Sequence, residues 1–293
     1  MHSGAVPKAP HSHTNQLHMP FVTIGHGRIE YDRIYAAGPE APTFVMLHEG
    51  LGSASMWKHF PVELAGVTRG NVVVYSRHGY GHSALLKEPR CVRYMHDEAL
   101  IVLPQFLDAL GISNPILFGH SDGGSIALIH AGGSGRRVAG VVALAPHVFV
   151  EDMSVASIAA AKVAFETTNL RDRLRRYHDD VDGVFWGWND IWLHPEFRSW
   201  NIEEYLSRIT CPVLAIQGAD DEYGSMKQIR RIAREAADVE LLCLANCRHS
   251  PHRDQPEKVL VAIANWTEQR FAARVGRGGS GLAPASAPVR DRA

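Results

Sequence analysis

The sequence predicts an α/β protein with a mostly parallel central sheet and helices on both of its faces. Short apolar runs alternate along the chain with segments whose apolar residues have helical spacing, which is the pattern of βαβ units. Several of these runs, such as the one at 43–47, are almost wholly apolar, as expected for strands that are buried on both faces. Glycine-punctuated loops follow several runs, and in sheets of this kind ligands bind beyond the carboxyl ends of the strands.

Length, composition and charge are those of an ordinary globular protein. The chain has 293 residues, of which 45% are hydrophobic and 21% charged, with a formal net charge of −1, so it could hold one large α/β domain or two smaller ones. It lacks a basic stripe for nucleic acid, an apolar run of roughly 20 residues for a membrane span, and a signal-peptide pattern. We therefore expect a cytoplasmic protein without nucleic-acid or membrane partners. A homodimer stays open.

The cysteines and the glycine-rich loops give no sign of a metal or a cofactor. Cys91, Cys211, Cys243 and Cys247 show neither a Cys-x-x-Cys pair nor zinc-ligand spacing. No loop matches the dinucleotide fingerprint or the phosphate-binding P-loop. The sequence thus predicts a reduced protein with no metal and no cofactor.

The first half of the chain is predicted to supply most of the sheet. Residues 1–20 are rich in His, Pro, Ser and Asn without periodicity and are predicted to form a disordered arm. The predicted elements that follow are strands at 21–24, 29–36, 43–47, 71–75 and 138–145, helices at 56–65 and 94–110, and a strand–turn–helix unit at 116–128.

The alternation of strands and helices stops between residue 146 and about residue 208. That stretch has helical spacing and is rich in Phe and Trp, so we predict a helical cap at 147–208, inserted after the sixth strand. The alternative is a pair of peripheral helices whose tryptophans are ordinary core. Strands at 212–217 and 240–244 and helices at 225–237 and 256–273 complete a core of 21–146 and 209–274. Residues 275–293 are predicted to be a disordered tail.

The strand–turn–helix unit carries the clearest chemical signal. Gly119-His120-Ser121-Asp122-Gly123 has the pattern Gly-x-Ser-x-Gly, in which a serine occupies the apex of a very tight turn. The glycines leave room beside the apex, and the start of the next helix offers backbone N–H groups to developing negative charge. A chance glycine-rich turn is the alternative. The flanking strand and helix patterns favour Ser121 as a nucleophile.

A nucleophilic serine needs a base, and the base needs a third group to orient it. Asp220, Asp221 and Glu222 follow the strand that ends near residue 217, and His249 and His252 follow the last strand. The order serine, acid, histidine fits a fold of this type. His249, His252 and Asp254 could also be read as metal ligands, but a triad explains His249 without a metal.

At these residues the chain resembles the α/β-hydrolase superfamily, most closely its capped serine esterases, carbon–carbon bond hydrolases and haloperoxidase-like members. The similarity spans residues 21 to about 271. The family pattern Gly-x-x-Asp falls on Gly218 and Asp221, which implies Asp221 rather than Asp220 as the acid. The pattern His-x₄-(Glu/Asp)-x-Pro falls on His249, which implies His249 rather than His252 as the base. Arg248 stands where the family commonly has glycine.

The resemblance also implies an oxyanion hole formed by two backbone amides. One is the amide of Asp122, and the other is that of Gly50, with Leu51 as the alternative. Glu49 stands where the family usually has glycine. Because a carboxylate aimed inward would oppose the developing charge, we expect Glu49 to turn away and pair with Arg77, or else to be solvated.

The resemblance implies hydrolysis of a carboxylic ester or a lactone by Ser121, His249 and Asp221. Carbon–carbon bond cleavage in a diketone, or a ligand receptor of the same fold, are the alternatives, because fold does not settle substrate. A serine nucleophile argues against dehalogenases and epoxide hydrolases, which need a carboxylate there. Trp186, Trp188 and Trp192 are candidate pocket residues that favour an apolar or aromatic acyl compound. On a helix Trp188 and Trp192 share a face, while Trp186 points elsewhere.

Overall fold

The computed structural model describes residues 19–25, 27–36, 38 and 41–271. The arm predicted at 1–20 lies almost wholly outside these residues, and the tail predicted at 275–293 lies wholly outside them. The described residues form an eight-stranded sheet in the order β1-β2-β4-β3-β5-β6-β7-β8. Its strands are β1 Phe21–Ile24, β2 Gly27–Ile34, β3 Thr43–Leu47, β4 Asn71–Tyr75, β5 Ile116–His120, β6 Gly140–Leu144, β7 Val213–Gly218 and β8 Val239–Leu244.

The sheet is mostly parallel, as predicted. Strands β3 to β8 pair in parallel, and β2 joins β4 and β1 in antiparallel pairs at one edge. Every residue of β4, β5, β6 and β7 is buried, because helices cover both faces of these strands. The edge strand β8 is largely exposed or half-buried.

Helices pack on both faces of the sheet and divide the core into two apolar layers. The helices are α1 Phe60–Thr68, α2 Tyr94–Asp97, α3 Leu103–Ala109, α4 Asp122–Gly133, α5 Asp152–Thr167, α6 Leu170–Leu174, α7 Val181–Leu193, α8 Glu203–Leu206, α9 Lys227–Glu235, α10 Pro251–Asp254 and α11 Pro256–Phe271. Side chains of α1 and α11 fill one layer, and those of α3, α4 and α9 contribute to the other. Within the described part of the chain no helix has the length and apolar character needed to cross a membrane.

Two predicted helices are interrupted. The helix predicted at 56–65 is a 3-10 turn, Ala54–Trp57, followed by α1, because Lys58 adopts φ 54° and breaks the helical path. The helix predicted at 94–110 contains a π-helical segment, Glu98–Val102, in which the amide of Leu103 donates to the carbonyl of Glu98. This segment immediately precedes α3, whose second residue, Pro104, has no amide N–H to donate.

Helices interrupt the strand–helix alternation between β6 and β7. This insertion consists of α5, α6, α7, the 3-10 turn Pro195–Ser199 and α8. Its own core includes the stacked rings of Phe165 and Phe185, whose centroids are 3.7 Å apart. The division of the chain into a cap at 147–208 and a core at 21–146 and 209–274 stays a prediction.

Candidate active site

Ser121 occupies the turn between β5 and α4 in a conformation that serine rarely adopts. Its φ and ψ are 52° and −119°, and non-glycine residues are seldom found there. The turn is tight on both sides. A Cβ atom on Gly119 would overlap the backbone of Gly123, and one on Gly123 would overlap the backbone of Leu47. Glycine is therefore required at both positions that flank the motif.

The structure brings together the three side chains that were predicted to form a triad. The Nε2 atom of His249 lies 3.0 Å from the Oγ atom of Ser121. Its Nδ1 atom lies 2.9 Å from Oδ1 of Asp221. Asp221 follows β7 and His249 follows β8, so the carboxyl ends of β5, β7 and β8 meet at one edge of the sheet. The result is a continuous hydrogen-bonded chain from carboxylate to imidazole to hydroxyl.

Asp221 is held as a carboxylate by the groups around it. It is buried, and burial alone would raise its pKa. The hydrogen bond and charge of His249 and the amide of Tyr223, which donates to Oδ1 over 2.8 Å, bring the pKa below its usual range instead. Gln217 also donates to Oδ2 over 3.2 Å. These contacts fix the carboxylate for the imidazole.

The other candidates for the acid and the base do not take part in the hydrogen-bonded chain at Ser121. Asp220 is exposed, and Glu222 pairs with the guanidinium of Arg248 at 3.0 Å. His252 is buried, with its ring 4.8 Å from that of Trp57. Neither of its nitrogens has a hydrogen-bond partner among the described residues. Burial, reinforced by the nearby His120, lowers the pKa of His252 well below its usual value.

The amides predicted to form the oxyanion hole border the same cavity as Ser121. Gly50, Leu51 and Asp122 all line it. Asp122 is the first residue of α4, where a backbone N–H has no partner inside the helix. The indole of Trp188 packs so closely on Gly50 that a Cβ atom there would overlap its Nε1.

The expected pairing of the Glu49 carboxylate with Arg77 is wrong. Arg77 donates instead to the backbone carbonyl of Glu49 over 3.0 Å. The carboxylate faces α10, 3.3 Å from the guanidinium of Arg253 and 3.6 Å from Nδ1 of His120. Burial would raise the pKa of Glu49, but His120 and Arg253 hold it well below its usual range. The carboxylate therefore turns toward Arg253 on α10 and His120 on β5, and not toward Arg77.

Two residues at the site were not identified from the sequence. The hydroxyl of Tyr94 donates to Oδ2 of Asp122 over 2.6 Å, and burial raises the pKa of this carboxyl. His147 lies with its ring 5.8 Å from that of His249. Burial and the charge of His249 lower the pKa of His147 to about 3, so it is a neutral group. A tyrosine and a histidine outside any motif offer no signal that could have found them.

The cavity above Ser121 has a volume of about 570 Å³, within the usual range for small-molecule sites of roughly 300–1,000 Å³. Trp188 and Trp192 line it, whereas the lining does not include Trp186. The Trp186 ring stands edge-on to Phe165 and Phe185 inside the insertion. The candidate assignment of Trp186 to the pocket is thus corrected. Trp186 and Trp188 are two positions apart on α7, so their side chains point to different faces of the helix.

The described part of the chain has no group of three or more His, Cys, Asp or Glu side chains placed to hold a metal ion. His249, His252 and Asp254 accordingly do not form such a cluster. The groups that meet at Ser121 are instead a hydroxyl, an imidazole and a carboxylate.

The sheet order and the strand–turn–helix at Ser121 define the class of protein, an α/β-hydrolase fold. A model of the alpha/beta hydrolase family matches residues 44–263. The chain belongs to this family, which confirms the resemblance inferred from the sequence.

Similar proteins are hydrolases with varied substrates. The chain is 25% identical over 263 residues to a putative carbamate hydrolase, RutD, from Caulobacter sp. (strain K31), a match that covers 80% of this chain and 94% of the relative. A carboxylesterase structure from the thaumarchaeon Nitrososphaera gargenis has a TM-score of 0.72 at 17% identity, with 87% of this chain and 100% of that one covered.

A further structure, a meta-cleavage product hydrolase from Pseudomonas fluorescens IP01, has a TM-score of 0.66 at 13% identity and covers 87% of this chain and 99% of that one. At such identities the solved structures bear on the fold alone. The family match makes the chain an enzyme of the α/β-hydrolase type, acting on a small molecule.

Proposed function

We propose that the protein is a serine hydrolase that cleaves a carboxylic ester or a lactone through an acyl-enzyme intermediate. The observation that carries the proposal is the hydrogen-bonded chain Ser121–His249–Asp221, with 3.0 Å between hydroxyl and imidazole and 2.9 Å between imidazole and carboxylate. This chain opens into a cavity large enough for a small molecule.

In the first step the Oγ atom of Ser121 attacks the acyl carbon while its proton passes to Nε2 of His249. Asp221 accepts the Nδ1 hydrogen bond and so selects the tautomer whose Nε2 is free to act as the base. It also stabilises the imidazolium that forms. Its lowered pKa keeps it ionised at neutral pH.

The carbonyl oxygen of the substrate becomes an oxyanion in the tetrahedral intermediate. The amides of Asp122 and Gly50 would donate to it. Collapse of the intermediate breaks the bond to the leaving alkoxide, which takes the proton from His249. In a lactone the leaving oxygen stays attached to the acyl group.

Water then repeats the sequence. His249 removes a proton from water as its oxygen attacks the acyl carbon, and the second intermediate expels Ser121, which regains a proton from His249. The net reaction adds one water across the ester bond and releases an acid and an alcohol, or a hydroxy acid from a lactone.

The relatives support attack at an acyl carbon rather than a receptor role. Carbamate hydrolysis, the activity named for the relative RutD, expels a leaving group from an acyl carbon. Carbon–carbon bond hydrolysis of a diketone is the alternative, and the substrates used in the test distinguish it from ester hydrolysis.

The test is labelling with a fluorophosphonate, followed by turnover of p-nitrophenyl esters of graded length, of lactones and of a vinylogous diketone. We expect labelling of the parent protein, none of the Ser121→Ala variant, and turnover of esters or lactones. Absence of labelling in the folded parent protein would contradict the nucleophile. Turnover of the diketone alone would contradict the ester assignment.

A further inference from the structure

The cavity above Ser121 has a buried end and an outer end that differ in chemistry. At the buried end Ser121 is only 7% exposed, beside Trp188 and Trp192. At the outer end the lining includes the exposed cations Lys58, Arg173 and Arg176. A substrate that fills the cavity therefore has one part at the serine and another among basic groups.

These three cations are not neutralised by the protein. The cavity wall also carries Arg248 and Arg253, but each has a carboxylate partner, Glu222 at 3.0 Å and Glu49 at 3.3 Å respectively. Among the described residues no carboxylate lies within ion-pair distance of Lys58, Arg173 or Arg176. Two carboxylates of the cavity wall also lack an ion-pair partner among the described residues. They are Asp254, whose Oδ2 accepts from the amide of Arg248 over 2.8 Å, and the buried Asp122, which accepts from Tyr94. Three unpaired cations against these two leave the wall with an excess of positive charge.

The carboxylates nearest in sequence to these arginines are paired elsewhere. Asp172 lies 3.9 Å from Arg175, and Asp182 binds Arg171. Asp179 pairs with His82 at 2.7 Å, and Asp180 accepts from the amide of Gly183 over 2.9 Å. Neither Arg171 nor Arg175 lines the cavity. The arginines around α6 are therefore of two kinds. Arg171 and Arg175 pair with aspartates of the protein away from the cavity, whereas Arg173 and Arg176 line the cavity without a carboxylate partner.

Apolar side chains line the cavity as well. Ile158 on α5 and Leu170 and Leu174 on α6 belong to the wall. Leu174 stands between Arg173 and Arg176 in sequence, so apolar and basic contacts are offered by one segment. A ligand with an apolar body and an anionic end matches this arrangement.

We propose that the substrate is an ester or lactone with an apolar body that carries a carboxylate at the end remote from the scissile bond, bound by Arg173 and Arg176 with Lys58 adding to the positive field. This inference rests on the proposed function of Ser121. Guanidinium groups bind carboxylates through paired hydrogen bonds, which give specificity even at a hydrated site.

The test uses pairs of substrates that differ by one charge. In the first pair, monomethyl hexanedioate carries a carboxylate on the acyl side of the ester, and dimethyl hexanedioate is its neutral counterpart. In the second pair, the acetate ester of 6-hydroxyhexanoic acid carries a carboxylate on the alcohol side, and the acetate ester of methyl 6-hydroxyhexanoate is its neutral counterpart. We expect kcat/KM for the charged member of at least one pair to exceed that of the neutral member by about tenfold. The preference should weaken as salt is raised, since the site is exposed.

The variants are Arg173→Glu, Arg176→Glu and the double variant, with Arg175→Glu as the matched control. Arg175→Glu makes the same change of net charge on the same segment, but at a side chain outside the cavity. The preference should vanish in the double variant and persist in the control. A parent protein without preference for either charged ester, or equal loss in the control, would overturn the inference.

A binding measurement separates this inference from the proposed function. In Ser121→Ala, binding of each member of the two pairs is followed by the intrinsic tryptophan fluorescence of the protein, to which Trp188 and Trp192 in the cavity wall contribute. We expect a charged ester to bind about tenfold more tightly than its neutral counterpart. Equal binding of both members of each pair would overturn the inference even if the parent protein hydrolyses esters. Tighter binding without any hydrolysis by the parent protein would uphold it while contradicting the proposed function.

Discussion

The indole of Trp188 rests directly on Gly50, leaving no space for a side chain at that residue. Trp188 belongs to α7 of the insertion, and Gly50 belongs to the loop that follows β3, where we propose the second oxyanion donor. The insertion and the loop that follows β3 are therefore in van der Waals contact beside Ser121. A change on either side of this contact will move the other, because packed groups do not deform freely.

Gly50→Ala tests the contact. The added methyl group must displace either Trp188 or the loop, and a displaced loop carries the Gly50 amide away from the oxyanion. We expect kcat to fall roughly 10²–10³-fold if the donor is lost, as for other oxyanion-hole donors. Gly66→Ala is the matched control, since a Cβ atom on Gly66 meets nothing within 4 Å. Steady-state kinetics of both variants decide the matter, and a Gly50→Ala enzyme with parental kcat would contradict this role of Gly50.

Trp188→Ala tests whether the face of α7 that borders the cavity contributes to substrate recognition. Trp188 lines the cavity and Trp186 does not, so only the former should contribute to recognition of a bulky acyl group. We expect Trp188→Ala to lower kcat/KM for an aromatic or long-chain ester by about 1–3 kcal/mol more than for acetate. Trp186→Ala serves as the control, with circular dichroism to check folding. Equal discrimination between the two esters in the parent enzyme and in Trp188→Ala would rule out this role.

The parts of the fold that could be predicted are those that a few residues adjacent in sequence determine. The strands at 43–47 and 71–75 have their predicted limits, because each is a short apolar run with a polar or glycine-rich boundary. The turn at Ser121 could be predicted because its glycines are required by the adjacent backbone. A helix of one turn such as α10 is too short to show a periodicity.

The contacts that could not be predicted join residues far apart in the sequence. The partner of the Glu49 carboxylate, Arg253, is 204 positions away, and a pattern within one loop carries no information about it. Asp221 and His249 are also distant from Ser121, yet they could be selected because a known motif spacing identifies each of them. Where no such spacing exists, as for Tyr94 and Asp122, only the folded chain brings the pair together.

The choice of acid and base can be tested by paired substitutions. Asp221→Asn and His249→Ala should each reduce kcat strongly, by roughly 10⁴-fold for the asparagine, because the imidazole loses its orienting carboxylate. Asp220→Asn and His252→Phe should retain most activity, since Asp220 is exposed and His252 packs against Trp57. The measurement is kcat for one ester across the four variants. A larger loss in Asp220→Asn than in Asp221→Asn would reassign the acid.

The last prediction concerns acid stability and the buried imidazole of His252. Burial, followed by the influence of His120, lowers its pKa in the folded protein well below the usual value of 6.5. As the pH falls below about 6.5, the unfolded chain binds a proton there that the folded protein does not bind, so the free energy of unfolding decreases. This group alone can contribute up to about 1.4 kcal/mol for each pH unit below that value.

His252→Phe removes the proton-binding site and keeps a ring between Trp57 and Phe60, which flank His252 at 4.8 and 5.6 Å. The free energy of unfolding should therefore fall less steeply between pH 7 and pH 5 in this variant than in the parent protein. Urea denaturation at pH 5, 6 and 7 gives both slopes, with His59→Phe as a control at an exposed position. Other buried imidazoles with lowered pKa, such as His48 and His147, remain in the variant and should leave it a residual slope. If the slopes of parent and His252→Phe coincide, the unfolded and folded states bind protons equally at His252, and its burial does not make the protein sensitive to acid.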